Sequence, residues 1–456
     1  MQSLVGCVSD TGDVSAAFCI TLFAEDSRKL RDAVSLRSQF CAEKGSNQLA
    51  VAGVSDLKRP RGERFPLQGT IQADKLIDRQ MTCRDQLSAT MAQSNLQKNV
   101  TALIRAIISC RSNTFVRCHQ SAQHVVKIMP AFRSIRISKN DNSQQTVVLT
   151  EMDDDDLMQG DVTIDVAATT VNYKDGLAVT GKSPVIRHWP MVPGIDLAGT
   201  VTESDRDDFV SGDQVVLNGF GIGESHFGGF SQKARVNGDW LIKRPNNISA
   251  RQAMSIGTAG YTAMLCVIAL ENRGVTPDRG PVVVTGANGG VGTIAISLLS
   301  SLGYEVIAST GRLNETDFLK DLGASEVVDR AELSSAGRAL GKERWAGGVD
   351  GVGSHTLANV LSHTRYGGAV AACGLAQGAD LPATVMPFIL RGVSLIGIDS
   401  VYAPISVRME AWSRLARDLD LCKLDTLTSE IAFEDLIQAS CDIIEGTIRG
   451  RLVAMM

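Results

Sequence analysis

The chain has 456 residues, a formal net charge of -5 and an isoelectric point near 5.8. That length allows two or three domains with a substantial core, and the charge gives no basic stripe for a nucleic acid. No run of eighteen apolar residues marks a membrane span, and residues 1–20 carry Asp10 and Asp13 without a charged n-region, so they read poorly as a signal peptide and the expected location is the cytoplasm.

Residues 1–128 contain short apolar patches but no sustained period and no motif. They read as an N-terminal extension, either translated from an upstream start codon, the preferred account, or an accessory or targeting segment. Met129 begins an alternating strand that runs to Ile137. Further strand patterns cover residues 161–171, 195–202 and 212–217, divided by Pro and Gly turns, and predict a β-rich lobe. The acidic run Asp153 to Asp156 lacks the alternating spacing and glycine of a calcium loop and reads as a solvated turn. Residues 250–270 predict a helix-rich bridge. Beyond it come a strand at 281–285, a glycine turn, a helix at 293–302 closed by Gly303, and a strand at 304–308. Strand patterns at 326–329, 349–352, 369–373 and 393–398 continue the alternation, which predicts a doubly wound parallel sheet. The ten cysteines show no C-x-x-C spacing, so neither a zinc ribbon nor a disulfide framework is expected.

The turn Gly286 Ala287 Asn288 Gly289 Gly290 Val291 Gly292 follows an apolar strand and opens a helix. A pyrophosphate needs free backbone N–H groups and the positive end of a helix dipole, and glycine lets the main chain come close enough. Gly286, Gly289 and Gly292 are spaced G-x-x-G-x-x-G rather than G-x-G-x-x-G, so the strand and helix around them carry much of the argument. At the end of the second strand the chain reads Ser309 Thr310 Gly311 Arg312, with no carboxylate to hold ribose hydroxyls. Hydroxyls and a guanidinium suit a 2′-phosphate, which points to NADPH over NADH. The alternative for Arg312 is a solvated turn residue.

Several blocks in order resemble the medium-chain dehydrogenase/reductase superfamily. They are residues 171–178 (VNYKDGLA), 190–196 (PMVPGID), 221–226 (GIGESH), 257–264 (GTAGYTAM), the glycine turn, 372–376 (ACGLA) and 385–392 (VMPFILRG). Within that superfamily the chain is most similar to the zinc-free, quinone-reductase-like branch and its NADPH-dependent acrylyl-CoA reductase group, over residues 129–456. The resemblance implies an α/β fold, a GroES-like β-rich catalytic domain (129–252 and 401–456) plus a Rossmann domain (253–400). Where zinc-dependent relatives carry a ligating Cys and a Gly-His-Glu block, this chain has Asn172 and Gly194 Ile195 Asp196, so no metal is expected.

The activity implied is hydride transfer from NADPH to the β-carbon of an α,β-unsaturated thioester, acryloyl-CoA giving propanoyl-CoA. By the same resemblance Asn172, Tyr173, Asp175 and Arg451 are the catalytic candidates. Asn172 and Arg451 are expected to stabilise an oxyanion, Tyr173 to contact cofactor and relay a proton, and Asp175 to orient that network. Cofactor contacts are implied for Tyr173, Gly286, Asn288, Gly289, Gly290, Val291, Gly292, Thr310, Gly311, Arg312 and Arg330. Leu375, Ile389 and Ser400 are expected on the nicotinamide side. His226 is expected beside the cleft, either touching substrate or packing, and a cofactor contact at Glu445 and Gly446 is doubtful. A homodimer paired through the strand at 393–398 is the implied assembly. Two other functions remain open at this point: a broad NADPH:quinone oxidoreductase, and a non-catalytic NADPH-binding structural or sensor protein.

Overall fold

The computed structural model describes residues 131–456, and the expectation for residues 1–128 lies outside the described residues. Alternating polarity in Phe132–Lys139 (β1) buries Ile135 and Ile137, and β1 pairs antiparallel with Gln145–Met152 (β2). Asn140 builds the turn between them, its side-chain oxygen accepting the N–H groups of Asn142 and Gln144. Val162–Thr170 (β3) then leads into a two-turn helix, Tyr173–Thr180 (α1). The chain returns as Asp196–Ser204 (β4), Gln214–Asn218 (β5), Lys233–Val236 (β6) and Ile242–Lys243 (β7), with β3 flanked antiparallel by β4 and β6. The expected start of β5 at Gly212 is a turn instead, since that glycine has φ 96°.

Ser249 caps the next helix, Ala250–Glu271 (α2), accepting from the backbone N–H of Gln252. On length and composition α2 matches a membrane span, yet 89% of its apolar window is buried within the protein. It is apolar all round because it packs on both large sheets, against β3, β4 and the strand Arg451–Met455 on one side and the strands Trp345–Asp350 and Thr364–Ala372 on the other. Gly257, with φ 51° and ψ -163°, breaks its regularity near the start.

The nucleotide lobe follows as Val282–Thr285 (β8), Gly290–Ser301 (α3), Val306–Thr310 (β9), Thr316–Leu322 (α4), Glu326–Asp329 (β10), Trp345–Asp350 (β11), Ser354–His363 (α5), Thr364–Ala372 (β12), Met386–Arg391 (α6) and Ser394–Gly397 (β13). All six strands are parallel in the order β10-β9-β8-β11-β12-β13. The order reverses at β8, so the crevice at its C-terminal end is where ligands bind in such sheets.

In the nucleotide lobe three strands start two or more residues away from the sequence expectation. The second strand starts at Val306 rather than 304, because Gly303 (φ 84°) ends α3 and Tyr304 still bonds back, its N–H to Leu299 and its hydroxyl to the Val275 carbonyl. β11 starts earlier than 349: Gly347 and Gly348 hide the pattern, yet they are in the strand, with Val283 and Val360 against Gly348. β12 likewise extends back to Thr364 through Gly367 and Gly368.

Ile405–Asp418 (α7) and Leu421–Thr426 (α8) pack on α2. Thr428–Ile431 (β14), Leu436–Glu445 (α9) and Arg451–Met455 (β15) then return to the first sheet, in the order β14-β15-β3-β4-β5-β7 with β6 on β3. β15 runs antiparallel to β3 with Val453 opposite Thr170, which carries Arg451 to the entrance of α1.

Candidate active site

The N-terminus of α1 gathers segments that lie far apart in sequence. Asn172 is the N-cap residue, and Asp175, three residues on, reaches back to accept its backbone N–H at 2.8 Å. The other Asp175 oxygen accepts from the N–H of Ile195 at 2.9 Å, fixing the approach to β4. Burial, and then the neighbouring Asp196, push the Asp175 pKa up to about 7 against three N–H donors.

Asn172 is itself buried. Its amide nitrogen donates to Asp196 at 2.7 Å and to Asp175 at 3.3 Å, and its oxygen faces Arg451 Nη2 at 3.4 Å. Arg451 donates through Nε to the Ser255 carbonyl (2.8 Å) and through Nη2 to Thr170 Oγ1 (3.0 Å). Nη1 has no hydrogen-bond partner among the described residues, and a Cβ added at Gly290 would stand 2.8 Å from it, so the guanidinium lies against the glycine turn. Burial lowers the Arg451 pKa, while Asp196 and Asp175 act in the opposite sense. Tyr173, the first residue of α1, is 54% exposed. The bonds of Asp175 go to Asn172 and Ile195 and none to Tyr173, so no hydrogen bond joins the expected pair of relay residues. Lys174 pairs with Glu224 at 2.7 Å.

In the turn, Gly286 has φ 61°, its carbonyl accepts the Gly289 N–H, and a Cβ at Gly292 would stand 2.4 Å from that same carbonyl. Gly289, the N-cap of α3, offers no side chain, which leaves the first N–H groups of the helix open beside Gly290 and half-buried Val291. Asn288 is buried, its oxygen bonded to the Thr310 hydroxyl and its amide nitrogen without a partner among the described residues. Thr310 Oγ1 also accepts the Arg312 N–H at 2.9 Å.

Arg330, exposed at the end of β10, packs over Gly311, where an added Cβ would meet its Nε at 2.5 Å. Arg312, half-buried, donates to the Ile448 carbonyl at 3.3 Å. Two guanidinium groups thus stand at the C-terminal ends of adjacent strands. The nearby Asp329 side chain is engaged by the Ala331 N–H at 2.9 Å.

Leu375, 65% exposed, lines a groove of about 470 Å³ with Cys373, Gly374, Ile398 and Asp399 at the ends of β12 and β13. Ser400 follows it in the chain, its carbonyl held by Arg408 Nη2 at 2.8 Å. Ile389 stands on α6, 72% exposed among Val385 and Leu390, and is not in the lining of that groove. His226 packs: its ring bonds the carbonyls of Gln159 and Phe227 and meets Trp240 edge-on at 5.3 Å. Glu445 is exposed at the end of α9.

Two groups escaped the sequence reading. Asp196 was noted only for the ligand block it interrupts, yet it sits at the centre of the cluster, and a carboxylate at the head of an apolar strand was the available signal. Arg408, inside α7, gave no such signal. It is fully buried and donates to the carbonyls of Asn218, Ser400, Val401 and Ala403, pinning the segment that carries Ser400 to the end of β5.

Residues 158–246 match the family described as alcohol dehydrogenase GroES-like domain, and residues 290–417 the family described as zinc-binding dehydrogenase. Acrylyl-CoA reductase AcuI of Ruegeria pomeroyi is 49% identical over 324 residues, 71% of this chain and 98% of that protein. Putative quinone oxidoreductase YhfP of Bacillus subtilis is 45% identical over 327 residues, 71% of this chain and 99% of its own; the crystal structure of that protein with NAD bound has a TM-score of 0.70 and covers 72% and 100% of the two chains. The yhdH oxidoreductase of Salmonella enterica, in a structure with NADP, is 48% identical, covering 71% of this chain and 99% of its own at a TM-score of 0.70. Similarity of that extent, running through both sheets and the glycine turn, makes this chain a member of the medium-chain dehydrogenase/reductase superfamily, in the group of acrylyl-CoA reductases and their quinone-oxidoreductase-like relatives.

Proposed function

We propose that this chain reduces the activated C=C bond of acryloyl-CoA to propanoyl-CoA with NADPH. The observation that carries the reading is the meeting of the buried Arg451 guanidinium with the Asn172 cap and the glycine turn, next in sequence to the exposed Tyr173. The residues present fit the cofactor: the turn supplies open N–H groups and the Asn288 amide, which has no partner among the described residues, and Arg312 and Arg330 supply cations at the ends of β9 and β10. Gly286, Asn288 to Gly292, Thr310, Gly311, Arg312 and Arg330 would hold its phosphates and ribose, and Tyr173, Leu375, Ile389 and Ser400 its nicotinamide end.

Bound NADPH supplies a hydride to the β-carbon of the substrate. Negative charge then builds on the thioester oxygen, and Arg451 provides a fixed positive charge in a water-poor setting, with Nη1 free to donate. Tyr173, 54% exposed, would bond the substrate through its hydroxyl and deliver a proton to the α-carbon. Asn172, with its amide nitrogen bonded to two carboxylates, holds Arg451 rather than the oxyanion, and Asp175 holds the helix cap.

We divide the chain into a catalytic domain of residues 129–252 and 401–456 and an NADPH-binding domain of residues 253–400. Half-buried β13 is an edge strand of the parallel sheet, and the exposed Val385, Ile389 and Leu390 precede it in the chain; these features support a homodimer paired through it. The test of function is steady-state NADPH oxidation by the purified chain with acryloyl-CoA, 1,4-benzoquinone and free acrylate. A kcat/KM for acryloyl-CoA several orders above the others is expected; equal or faster turnover of the quinone would replace the reading with a broad quinone reductase.

A further inference from the structure

We infer that Asp196 is the positioning residue of this site: it dictates which way the Asn172 amide faces Arg451, and it ties both to the broken start of α2. The inference rests on the reductase reading given above. Asp196 is fully buried at the head of β4, and its two oxygens accept four hydrogen bonds. Oδ1 takes the Asn218 amide at 2.7 Å and the Thr258 hydroxyl at 2.5 Å. Oδ2 takes the Asn172 amide at 2.7 Å and the Thr258 N–H at 2.8 Å. The donors come from β5, α2 and the cap of α1, so one carboxylate joins three elements that border the crevice.

An acceptor-only group at this point has a specific consequence. The Asn172 amide can satisfy it only by turning its NH₂ toward Asp196, which leaves its carbonyl oxygen for Arg451. The missing side chain at Gly257 lets Arg451 and Asp196 approach the broken start of α2, because a Cβ there would stand 2.7 Å from Arg451 Nη2 and 2.8 Å from Asp196 Oδ2. The charged groups around Asp196 are Arg451 from β15, Asp175 from α1 and Arg408 from α7. α9, packed on α1, brings Ser440, Ile443 and Ile444 against Gly176. An Asn at 196 offers two acceptor and two donor positions where four donors converge. One way to restore the bond to residue 172 is for Asn172 to turn over, which aims an NH₂ at the guanidinium and removes the carbonyl that holds it.

The experiment compares wild type with Asp196→Asn and Thr258→Val, neither of which alters the glycine turn or the arginines of the cofactor groove. NADPH affinity is read by fluorescence, and kcat and KM for acryloyl-CoA by NADPH oxidation from pH 5.5 to 9. Asp196→Asn is expected to lower kcat at least tenfold while the NADPH Kd and the KM change by less than threefold. Any acid limb set by Asp175 moves to lower pH, since that group loses its anionic neighbour. Thr258→Val, which loosens the carboxylate but keeps its charge, is expected to lower kcat by threefold to tenfold, and it decides the matter should Asp196→Asn not fold. Unchanged kcat in folded Asp196→Asn, or in Thr258→Val when that is the sole folded variant, overturns the inference. So does a loss of kcat accompanied by a raised NADPH Kd and a lowered thermal stability. Absence of acryloyl-CoA turnover in the wild type would instead overturn the reductase reading, and quinone turnover would then serve for the same comparison.

Discussion

Replacing Arg312 and Arg330 with alanine tests the coenzyme assignment most directly. A charge-assisted hydrogen bond contributes about 1.5–3 kcal/mol when well formed. Arg330 is exposed and Arg312 is half-buried with one carbonyl partner, so screening takes each to the bottom of that range or below it, about 1–1.5 kcal/mol. One decade in affinity is about 1.4 kcal/mol, so each single variant should raise the NADPH Kd about fivefold to tenfold. The double variant should raise it roughly 30-fold to 100-fold if the two act independently. The NADH Kd should stay within about twofold, because that coenzyme lacks the 2′-phosphate. The assay is titration of both coenzymes by protein fluorescence at low and high salt, with the NADPH loss shrinking as salt rises. Equal losses for NADPH and NADH would refute the reasoning, since the arginines would then act on something other than the extra phosphate.

Gly292→Ala places a methyl 2.4 Å from the Gly286 carbonyl and 2.8 Å from Ala287 Cα, both backbone atoms that cannot step aside. It should abolish measurable binding of both coenzymes, and selective loss of one would contradict the turn's proposed role. Arg408→Met removes four hydrogen bonds from the carbonyls of Asn218, Ser400, Val401 and Ala403; leaving buried acceptors without donors at roughly 1–3 kcal/mol each should appear as a lowered urea midpoint, and a loss under about 1 kcal/mol would show the segment to be held by other contacts. Asp175 has a folded pKa raised to about 7 from 3.8. Its contribution to stability is therefore full below about pH 4 and is lost as pH rises through 7. Thermal melts from pH 4 to 8 should show that decline in wild type and a flatter profile in Asp175→Asn, and identical slopes would count against it.

The sequence by itself determined much of this protein. An apolar strand, a glycine turn and a helix at 281–302 specify a βαβ unit because only glycine gives the φ and the clearance the turn requires. The missing carboxylate in Ser309 to Arg312 likewise needs no coordinates to read. Glycine-rich β11 and β12 were blurred, because a glycine in a buried strand contributes no side chain to the pattern while the neighbouring strands still close over it.

Only the tertiary structure decided the electrostatics of the site. Arg451 reaches Thr170 and Asn172 because the last strand returns to the first sheet beside β3, a pairing of residues about 280 positions apart that local propensity does not encode. The same closure shows that the Asn172 amide is bound to Asp196 and Asp175, that Asp175 caps a helix instead of meeting Tyr173, and that Arg408 holds four carbonyls. Hydrogen bonds in a buried cluster depend on which donors converge on which acceptors, and that convergence is set by the packing of β4, β15 and α2 around one another.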